Sequence, residues 1–115
     1  MDELKFARNK KGYRLGINVR SDGPLDYATA IVSGEKLWES RCTRSLDPYV
    51  GKRVGIVRTG NGPAMVVGFA EFGRAMAVNP AQFNELRAEH LVSKGTTFDI
   101  ERGAIKFLYP VINFK

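Results

Sequence analysis

Residues 34–41 of this chain read Gly34-Glu35-Lys36-Leu37-Trp38-Glu39-Ser40-Arg41. This octapeptide brings together two cations and two carboxylates directly after a short apolar pattern of helical period. Gly34 suits the end of that helix, because glycine readily adopts the left-handed conformation that terminates helices. Charges of both signs at the boundary of an element indicate either an ion-pair network that braces the fold or a polar site.

The spacing of the charges sets a geometric condition. On an ideal strand Lys36 and Glu39 point to opposite faces, whereas Glu39 and Arg41 share one face. Lys36 therefore meets Glu39 only if the chain bends near Leu37, and then all three side chains converge at the mouth of the sheet. Such a cluster can hold a phosphate, supply a general base or an activated lysine, or act as a structural brace. The residues themselves leave these alternatives open.

Strands predominate on both sides of the octapeptide. Alternating apolar and polar residues predict a strand over residues 13–20. Further strands are expected over residues 37–43, from 54 to 58, over 64–72 and over 104–114, the last broken at Pro110. The turn residues 59–63 indicate a hairpin, and Gly68 indicates a bulge.

Two short helices interrupt these strands. The first is expected to start at Pro24, which suits the first helical position, and to end at Gly34. The second begins with Asn79 as its N-cap and Pro80 at its first position. The pattern predicts an α+β fold built on a small, mixed, mostly antiparallel β-barrel.

The chain is long enough for one hydrophobic core. Its 115 residues are 43% hydrophobic and 26% charged, as in ordinary globular domains. We expect a basic N-terminal arm over residues 1–12 and a single domain over 13–115. No apolar run reaches the roughly 18–20 residues that span a bilayer, and the N-terminus has no apolar secretory segment, so no membrane partner and a cytoplasmic location are expected.

Cysteine, histidine and glycine patterns limit the cofactors. One cysteine, Cys42, and one histidine, His90, are too few for an internal disulfide or a tetrahedral zinc site. No phosphate-binding glycine loop is present. We therefore expect no metal and no cofactor. His90 falls near the end of the second predicted helix, where the helix dipole favours a partly cationic imidazole.

The charge distribution favours an anionic partner. Net charge is +6, and residues 1–58 carry 12 Lys and Arg against 7 Asp and Glu. The remaining residues carry 6 against 5. A basic half suggests an anionic partner, most often nucleic acid; the alternative is a small protein that is simply basic.

The octapeptide fits the pattern G-x-K-x-x-E-x-R and so resembles the motif of ASCH domains, a branch of the PUA-like β-barrel superfamily. The similarity runs in family order over most of the chain, from Tyr13 to Phe114. It includes Tyr27 to Ile31 before the motif, then Gly51 to Ile56, Val66 to Ala70 and Leu108 to Val111. The resemblance implies a PUA-like barrel that binds RNA, a nucleotide or a nucleoside in a cleft beside the motif.

The resemblance does not decide whether the protein is an enzyme. Some small family members look like ribonucleases, and others hydrolyse the acetyl amide of N4-acetylcytidine with a lysine, a threonine three residues later and a distant glutamate. Lys36 matches that lysine, but Glu39 stands in place of the threonine, and Lys94 follows the second helix where a glutamate is sought. Three functions stay open: an RNA- or nucleotide-binding module, a metal-independent hydrolase (ribonuclease or modified-nucleoside amidohydrolase), and a non-catalytic protein-interaction module.

The candidate site residues follow from these hypotheses. In a hydrolase, Lys36 would stabilise developing negative charge and Glu39 would act as general base. The candidate nucleic-acid-binding residues are Lys36, Arg41, Arg44, Trp38, Tyr27, Lys52 and Arg53.

Five of these residues have structural alternatives. Trp38 either stacks on a base or packs in the core, and Tyr27 either reaches the polar side or lies at the rim with a solvated hydroxyl. Arg44, Lys52 and Arg53 either extend a phosphate track or are simply solvated.

Overall fold

The structure, a computed structural model, describes residues 15–21, 25–60 and 62–112. The predicted arm over residues 1–12 and the start of the first predicted strand at Tyr13 lie outside the described residues, as does Pro24. The elements, in chain order, are β1 (Gly16–Arg20), α1 (Tyr27–Ser33), β2 (Trp38–Arg41), a 3-10 turn (Asp47–Tyr49), β3 (Val54–Thr59), β4 (Met65–Phe72), β5 (Met76–Val78), α2 (Pro80–Glu85), α3 (Arg87–His90) and β6 (Lys106–Ile112).

One six-stranded mixed sheet organises these elements. The strand order is β1-β3-β4-β6-β2, with β5 also paired to β6. The β1–β3 pair is parallel and the other pairs are antiparallel. The predicted α+β class and the mostly antiparallel sheet are therefore confirmed.

The predicted barrel closure is corrected, because the sheet is not closed. β1 and β2 stand at the two ends of the strand order, and among the described residues no ladder joins them. A side chain spans the gap instead: Arg41 Nη2 donates a hydrogen bond to the Asn18 carbonyl oxygen at 2.9 Å. We call this opening between β1 and β2 the seam.

Local signals explain the bounds of α1. The Asp26 side chain accepts from the Thr29 N–H at 3.0 Å and caps the N-terminus, so the helix begins at Tyr27. The observed start therefore lies after Pro24, the predicted first position, which is outside the described residues. Gly34 ends the helix with φ 86°, which confirms the predicted stop.

The second predicted helix is divided in two. Its predicted N-terminus is confirmed, since the Asn79 and Gln82 side chains form a reciprocal capping box and Pro80 occupies the first position. Leu86 separates α2 from α3, so the described residues contain three helices rather than the two predicted. None of them is long and apolar enough to span a bilayer.

The core lies between α1 and the sheet and continues under α2 and α3. Buried apolar residues from nearly every element form it: Ile17, Val19, Tyr27, Ala28, Ile31, Leu46, Val54, Ile56, Ala70, Phe72, Val78, Phe83, Val92, Leu108 and Tyr109. The predicted β3–β4 hairpin is present. Its register shifts between Ile56 and Val57, next to Gly68, which confirms the bulge.

The predicted break at Pro110 is wrong, because β6 runs through it. Proline lacks an N–H and is normally confined to positions where no ladder partner needs a donor. Pro110 lies between the part of β6 that pairs with β5 and the part that pairs with β4, and there its carbonyl accepts from the Gly73 N–H at 2.9 Å. The partner on this edge of β6 therefore changes at the residue that cannot donate, while Pro110 pairs with Trp38 of β2 on the other edge.

Candidate functional site

A cavity of about 200 Å³ opens at the seam. Its walls come from β1, from the end of the octapeptide and from residues that lie far apart in sequence. Five lining side chains are charged: Arg20, Lys36, Glu39, Arg41 and Lys106. Asn18, Tyr27 and Phe98 line it as well. Four cations thus surround one carboxylate in a concave site.

The bend predicted near Leu37 brings the octapeptide charges together. β2 begins only at Trp38, so Lys36 precedes the strand, and its backbone N–H donates to the carbonyl of Ala30 in α1. Lys36 Nζ lies 3.9 Å from Glu39 Oε1, and Arg41 Nη2 lies 2.9 Å from Glu39 Oε2. The predicted convergence of Lys36, Glu39 and Arg41 is confirmed, and we call these three residues the seam cluster.

Glu39 acts as the shared counter-ion of the seam cluster. One carboxylate oxygen accepts from the Ser40 backbone N–H at 3.2 Å and faces Lys36, and the other accepts from Arg41. Both oxygens are thus engaged by protein groups, and the residue is buried. This arrangement suits Glu39 to orienting the two cations more than to taking a proton from a substrate.

Lys36 is the most enclosed charged side chain of the site, with 1% exposure. Its Nζ donates to the His90 carbonyl oxygen and lies 4.8 Å from the centre of the Tyr27 ring. Burial lowers the pKa of Lys36 to about 8, with Arg41 adding to the lowering and Glu39 opposing it. The amine therefore changes charge close to physiological pH.

His90 lies beneath Lys36 and is neutral. Its Nδ1 accepts from the Val92 N–H at 3.0 Å, so Nε2 carries the proton and donates to the Phe83 carbonyl at 2.8 Å. Burial lowers its pKa to about 4. The predicted partly cationic imidazole is therefore wrong, because burial outweighs the dipole of a four-residue helix.

Tyr27 belongs to the inner wall of the cavity. Because α1 begins at Tyr27 itself, its buried face carries Tyr27, Ala28 and Ile31, while Leu25 is exposed. The Tyr27 ring meets Phe98 edge-to-face, with 6.1 Å between ring centres. Tyr27 is 3% exposed and its hydroxyl oxygen is buried, so the alternative of a rim residue with a solvated hydroxyl is wrong.

The other candidate residues lie outside the cavity lining. Trp38 is half-buried against the core, and its Nε1 donates to Glu89 at 3.3 Å. Arg44 lies over Phe107, Arg53 lies over Phe69, and Lys52 is exposed.

Sequence reasoning missed several members of the site. Long-range pairing of the sheet and the loop before β6 bring four further residues to the cavity: Asn18, Arg20, Phe98 and Lys106. Lys106 is buried, and its Nζ donates to the Phe98 carbonyl at 3.0 Å. A buried lysine at the start of a strand carries no local sequence signal, since lysine is ordinarily exposed.

Within the described ranges, no group of three or more His, Cys, Asp or Glu side chains comes together as a metal site. The absence of a metal or cofactor stays a prediction. Cys42 lines the cavity as an exposed free thiol.

Comparison with known proteins identifies the fold. No family model and no curated protein matches the sequence. Among solved structures, the chain is similar to the crystal structure of ASCH from Zymomonas mobilis, with 21% sequence identity, a TM-score of 0.66 and coverage of 87% of this chain and 68% of that one. Two variants of the same protein, one tyrosine-to-phenylalanine and one serine-to-alanine, give the same TM-score and identity and cover 89% of this chain and 72% and 70% of theirs.

This similarity confirms the resemblance to ASCH domains at the level of the fold. The chain therefore shares the fold of these ASCH structures, and its own sheet is open between β1 and β2.

Proposed function

We propose that this chain, with the fold of an ASCH domain, binds RNA and takes one nucleotide into the seam cavity. The observation that carries the proposal is the charge of that cavity: Arg20, Lys36, Arg41 and Lys106 line it, with Glu39 as the one lining carboxylate. A concave site with surplus cations attracts a polyanion and gives its phosphates charge-assisted hydrogen bonds.

The arrangement assigns different tasks to the cations. Arg41 is held by Glu39 and by the Asn18 carbonyl, which fixes its planar guanidinium at the mouth of the seam. A fixed guanidinium binds phosphate with little loss of side-chain entropy. Arg20 is exposed at the end of β1 and can adjust to the ligand. Lys36 is buried more deeply, so it attracts the ligand by its charge and does not extend towards it.

The size of the cavity supports a single-nucleotide site. Ligand pockets for drug-sized molecules usually measure about 300–1,000 Å³, and this cavity measures about 200 Å³. It suits one base or one phosphate-bearing unit, while the flanking nucleotides stay at the surface. The Tyr27 and Phe98 rings in its wall offer apolar contact to a base.

A second candidate function is hydrolysis of the bound nucleotide without a metal, and the pKa of Lys36 favours it. A general acid or base works best when its pKa lies near the working pH, and burial brings that of Lys36 to about 8. Because both Glu39 oxygens are engaged, Lys36 is the better proton-transfer group of the pair. Turnover of an RNA oligomer or of N4-acetylcytidine in the presence of EDTA tests this candidate, and undiminished turnover by Lys36→Met would exclude Lys36 from the reaction.

Fluorescence anisotropy of a labelled single-stranded RNA decamer tests the binding proposal. Lys36→Met removes the buried charge and keeps the length of the side chain, and Arg20→Ala removes an exposed cation of the cavity. Arg102→Ala is the matched control, because Arg102 is exposed and lines no cavity described here. Equal folding of all variants is first checked by thermal melting.

We expect the Lys36→Met and Arg20→Ala double variant to bind about tenfold or more weakly than the control, and wild-type affinity to fall steeply between about 50 and 200 mM salt. Equal binding by the double variant and the control would refute the cavity as the RNA site. A flat salt dependence would refute phosphate contact. Absence of binding by the wild type would favour the protein-interaction alternative.

A further inference from the structure

A second concave surface lies beside the seam, and the RNA-binding proposal makes no use of it. This groove of about 400 Å³ is lined by Arg44, Asp47, Val50, Arg74 and Ala75, and we call it the arginine groove. It brings together arginines that are thirty residues apart in sequence. None of these lining residues is aromatic, whereas Tyr27 and Phe98 line the seam cavity.

The Arg44 side of the groove is built from contacts to β6. The Arg44 guanidinium lies 5.0 Å from the centre of the Phe107 ring and 3.5 Å from an Asp47 carboxylate oxygen. The other Asp47 oxygen accepts from the Tyr109 hydroxyl at 2.6 Å. Tyr109 is buried, so a core residue fixes the carboxylate that in turn orients Arg44.

The Arg74 side is held by the β4–β5 connection. The Gly73 N–H donates to the Pro110 carbonyl, and a Cβ added at Gly73 would lie 2.8 Å from the Pro110 ring. This close approach fixes the backbone next to Arg74. Within residues 15–21, 25–60 and 62–112, Arg74 itself has no ion pair or hydrogen bond, and it is exposed. Its charge is available to a ligand.

The groove continues the face that carries the seam cluster. Arg41 pairs with Phe107 and Glu39 pairs with Tyr109 across β2 and β6, and directly paired residues share a face of a sheet. Arg44, over Phe107, therefore lies on the same face as Arg41. Cys42 lines the cavity and Arg44 lines the groove. Because these residues are two apart in sequence, their Cα atoms are at most about 7.6 Å apart, which is similar to one nucleotide step.

We propose that the arginine groove binds the backbone phosphate of the nucleotide next to the one held in the seam cavity. Arg44 and Arg74 contact this phosphate, while Asp47, whose oxygens are occupied by Arg44 and Tyr109, sets the position of Arg44. The ligand class is then a polynucleotide strand rather than a free nucleoside or nucleotide. This inference rests on the proposed function and extends it from one nucleotide to two.

Binding of two probes by four variants tests the inference. The probes are a labelled single-stranded RNA decamer, followed by fluorescence anisotropy, and the four nucleoside monophosphates, followed by ligand-observed NMR. Arg44→Ala and Arg74→Ala are each compared with Arg102→Ala, which removes one charge elsewhere as each of them does, and the double variant removes both groove charges. Both groove arginines are exposed, so the melting temperatures are expected to stay within a few degrees of wild type.

We expect the double variant to bind the decamer about tenfold more weakly than the Arg102→Ala control. The slope of log K against log salt should become shallower by about 0.7 for the lost phosphate. Binding of the monophosphates should stay within about twofold, because they do not reach the groove.

Three results would overturn the inference. The first is a double variant that binds the decamer as tightly as the Arg102→Ala control. The second is equal weakening for decamer and monophosphates. The third is an acidic polyglutamate peptide that binds wild type as tightly as the decamer does, which would indicate an unspecific polyanion or protein surface. Failure of the proposed function looks different: there, Lys36→Met and Arg20→Ala leave decamer and monophosphate binding unchanged.

Discussion

Two polar regions of this molecule touch, and they differ in whether they border a cavity. The seam cluster, Lys36 with Glu39 and Arg41, borders a cavity. The helix corner, formed by Phe83, Arg87, His90 and Asp99, is packed within itself. One hydrogen bond joins the two regions, from Lys36 Nζ to the His90 carbonyl.

In the helix corner, polar groups find partners within a short stretch of chain. Arg87 donates to the Val92 carbonyl at 2.7 Å and to Asp99 at 3.1 Å, and its guanidinium lies 5.4 Å from the centre of the Phe83 ring. Both ring nitrogens of His90 are hydrogen-bonded to backbone groups. The one cation has one carboxylate, so the corner is electrically balanced.

In the seam, Glu39 must balance two cations of its own cluster, and Arg20 and Lys106 add further positive charge. Polar groups shielded from water usually find partners inside the protein, so the surplus positive charge beside the cavity supports the proposal that an anionic ligand binds there. The comparison therefore separates a charge-balanced corner from a seam with surplus positive charge.

The largest expected effect is on stability, from Glu39→Ala. Removing this carboxylate leaves Lys36 and Arg41 without their shared counter-ion, and breaking a buried ion pair costs about 3–5 kcal/mol. Urea denaturation measures the loss. Glu35→Ala is the matched control, because Glu35 lies in the same octapeptide but is exposed and should change stability by less than about 0.5 kcal/mol. A loss below about 1 kcal/mol for Glu39→Ala would show that the cluster is not a stabilising network.

The second effect is a rise of stability at alkaline pH caused by Lys36. Its pKa is about 8 in the folded protein against an ordinary value of 10.5. Between these values the unfolded chain binds a proton that the folded protein does not, so the free energy of unfolding increases with pH. The rise approaches about 3 kcal/mol over this window, since a pKa difference of one corresponds to about 1.4 kcal/mol.

Urea titrations from pH 7.5 to 10 measure this rise, and Lys36→Met should abolish it. Tyr109 sets the upper pH limit of this rise. Burial and Asp47 raise its pKa to about 12, so above pH 10 the unfolded chain loses a proton that the folded protein keeps, and stability falls. The same slope in wild type and Lys36→Met would assign the rise to another group.

The third effect lies at acidic pH and belongs to the helix corner. The pKa of His90 is lowered to about 4 from 6.5, so the unfolded chain takes up a proton first as the pH falls between these values. Stability should therefore decrease from pH 6.5 to 4, by up to about 3 kcal/mol. Asp26 and Asp99 have lowered pKa values and act below this window, where stability is lost as they become protonated.

His90→Gln tests this assignment, because an amide can still hydrogen-bond but does not titrate. The variant should show a flat stability between pH 6.5 and 4.5, and its RNA affinity at pH 7 should match wild type. An unchanged acid slope in the variant would place the titration elsewhere.

The sequence predicted those parts of the molecule that depend on neighbouring residues. The stop at Gly34, the cap at Asn79 and the β3–β4 hairpin are all decided within a few residues, and all three are present. The convergence of the seam cluster was predictable for the same reason, because the bend after Gly34 and the spacing of the charges lie within eight residues.

What the sequence did not predict depends on partners far along the chain. β5 is three residues long and exists because β6 offers it an edge. β6 continues through Pro110, which pairs with Trp38 of β2 while the partner on the other edge changes from β5 to β4. Lys106 joins the cavity through the same long-range topology. The charge of His90 depends on how deeply the folded chain buries its imidazole, and no local sequence pattern indicates that burial.

The smallest expected effect on stability gives the sharpest separation of the two regions. Arg20→Ala removes an exposed cation from the seam cavity, so it should change the free energy of unfolding by less than about 0.5 kcal/mol and weaken decamer binding several-fold. Asp99→Asn in the helix corner should do the reverse. It weakens the bonds from Arg87, Gly95 and Ile100 to the carboxylate, costs about 1–3 kcal/mol and leaves RNA affinity unchanged. Measuring both quantities on both variants gives four values. If each variant changes both quantities in proportion, binding follows stability and the seam is no more a binding site than the corner is. If the two effects separate, the charge beside the cavity contributes to binding and the charge inside the corner contributes to folding.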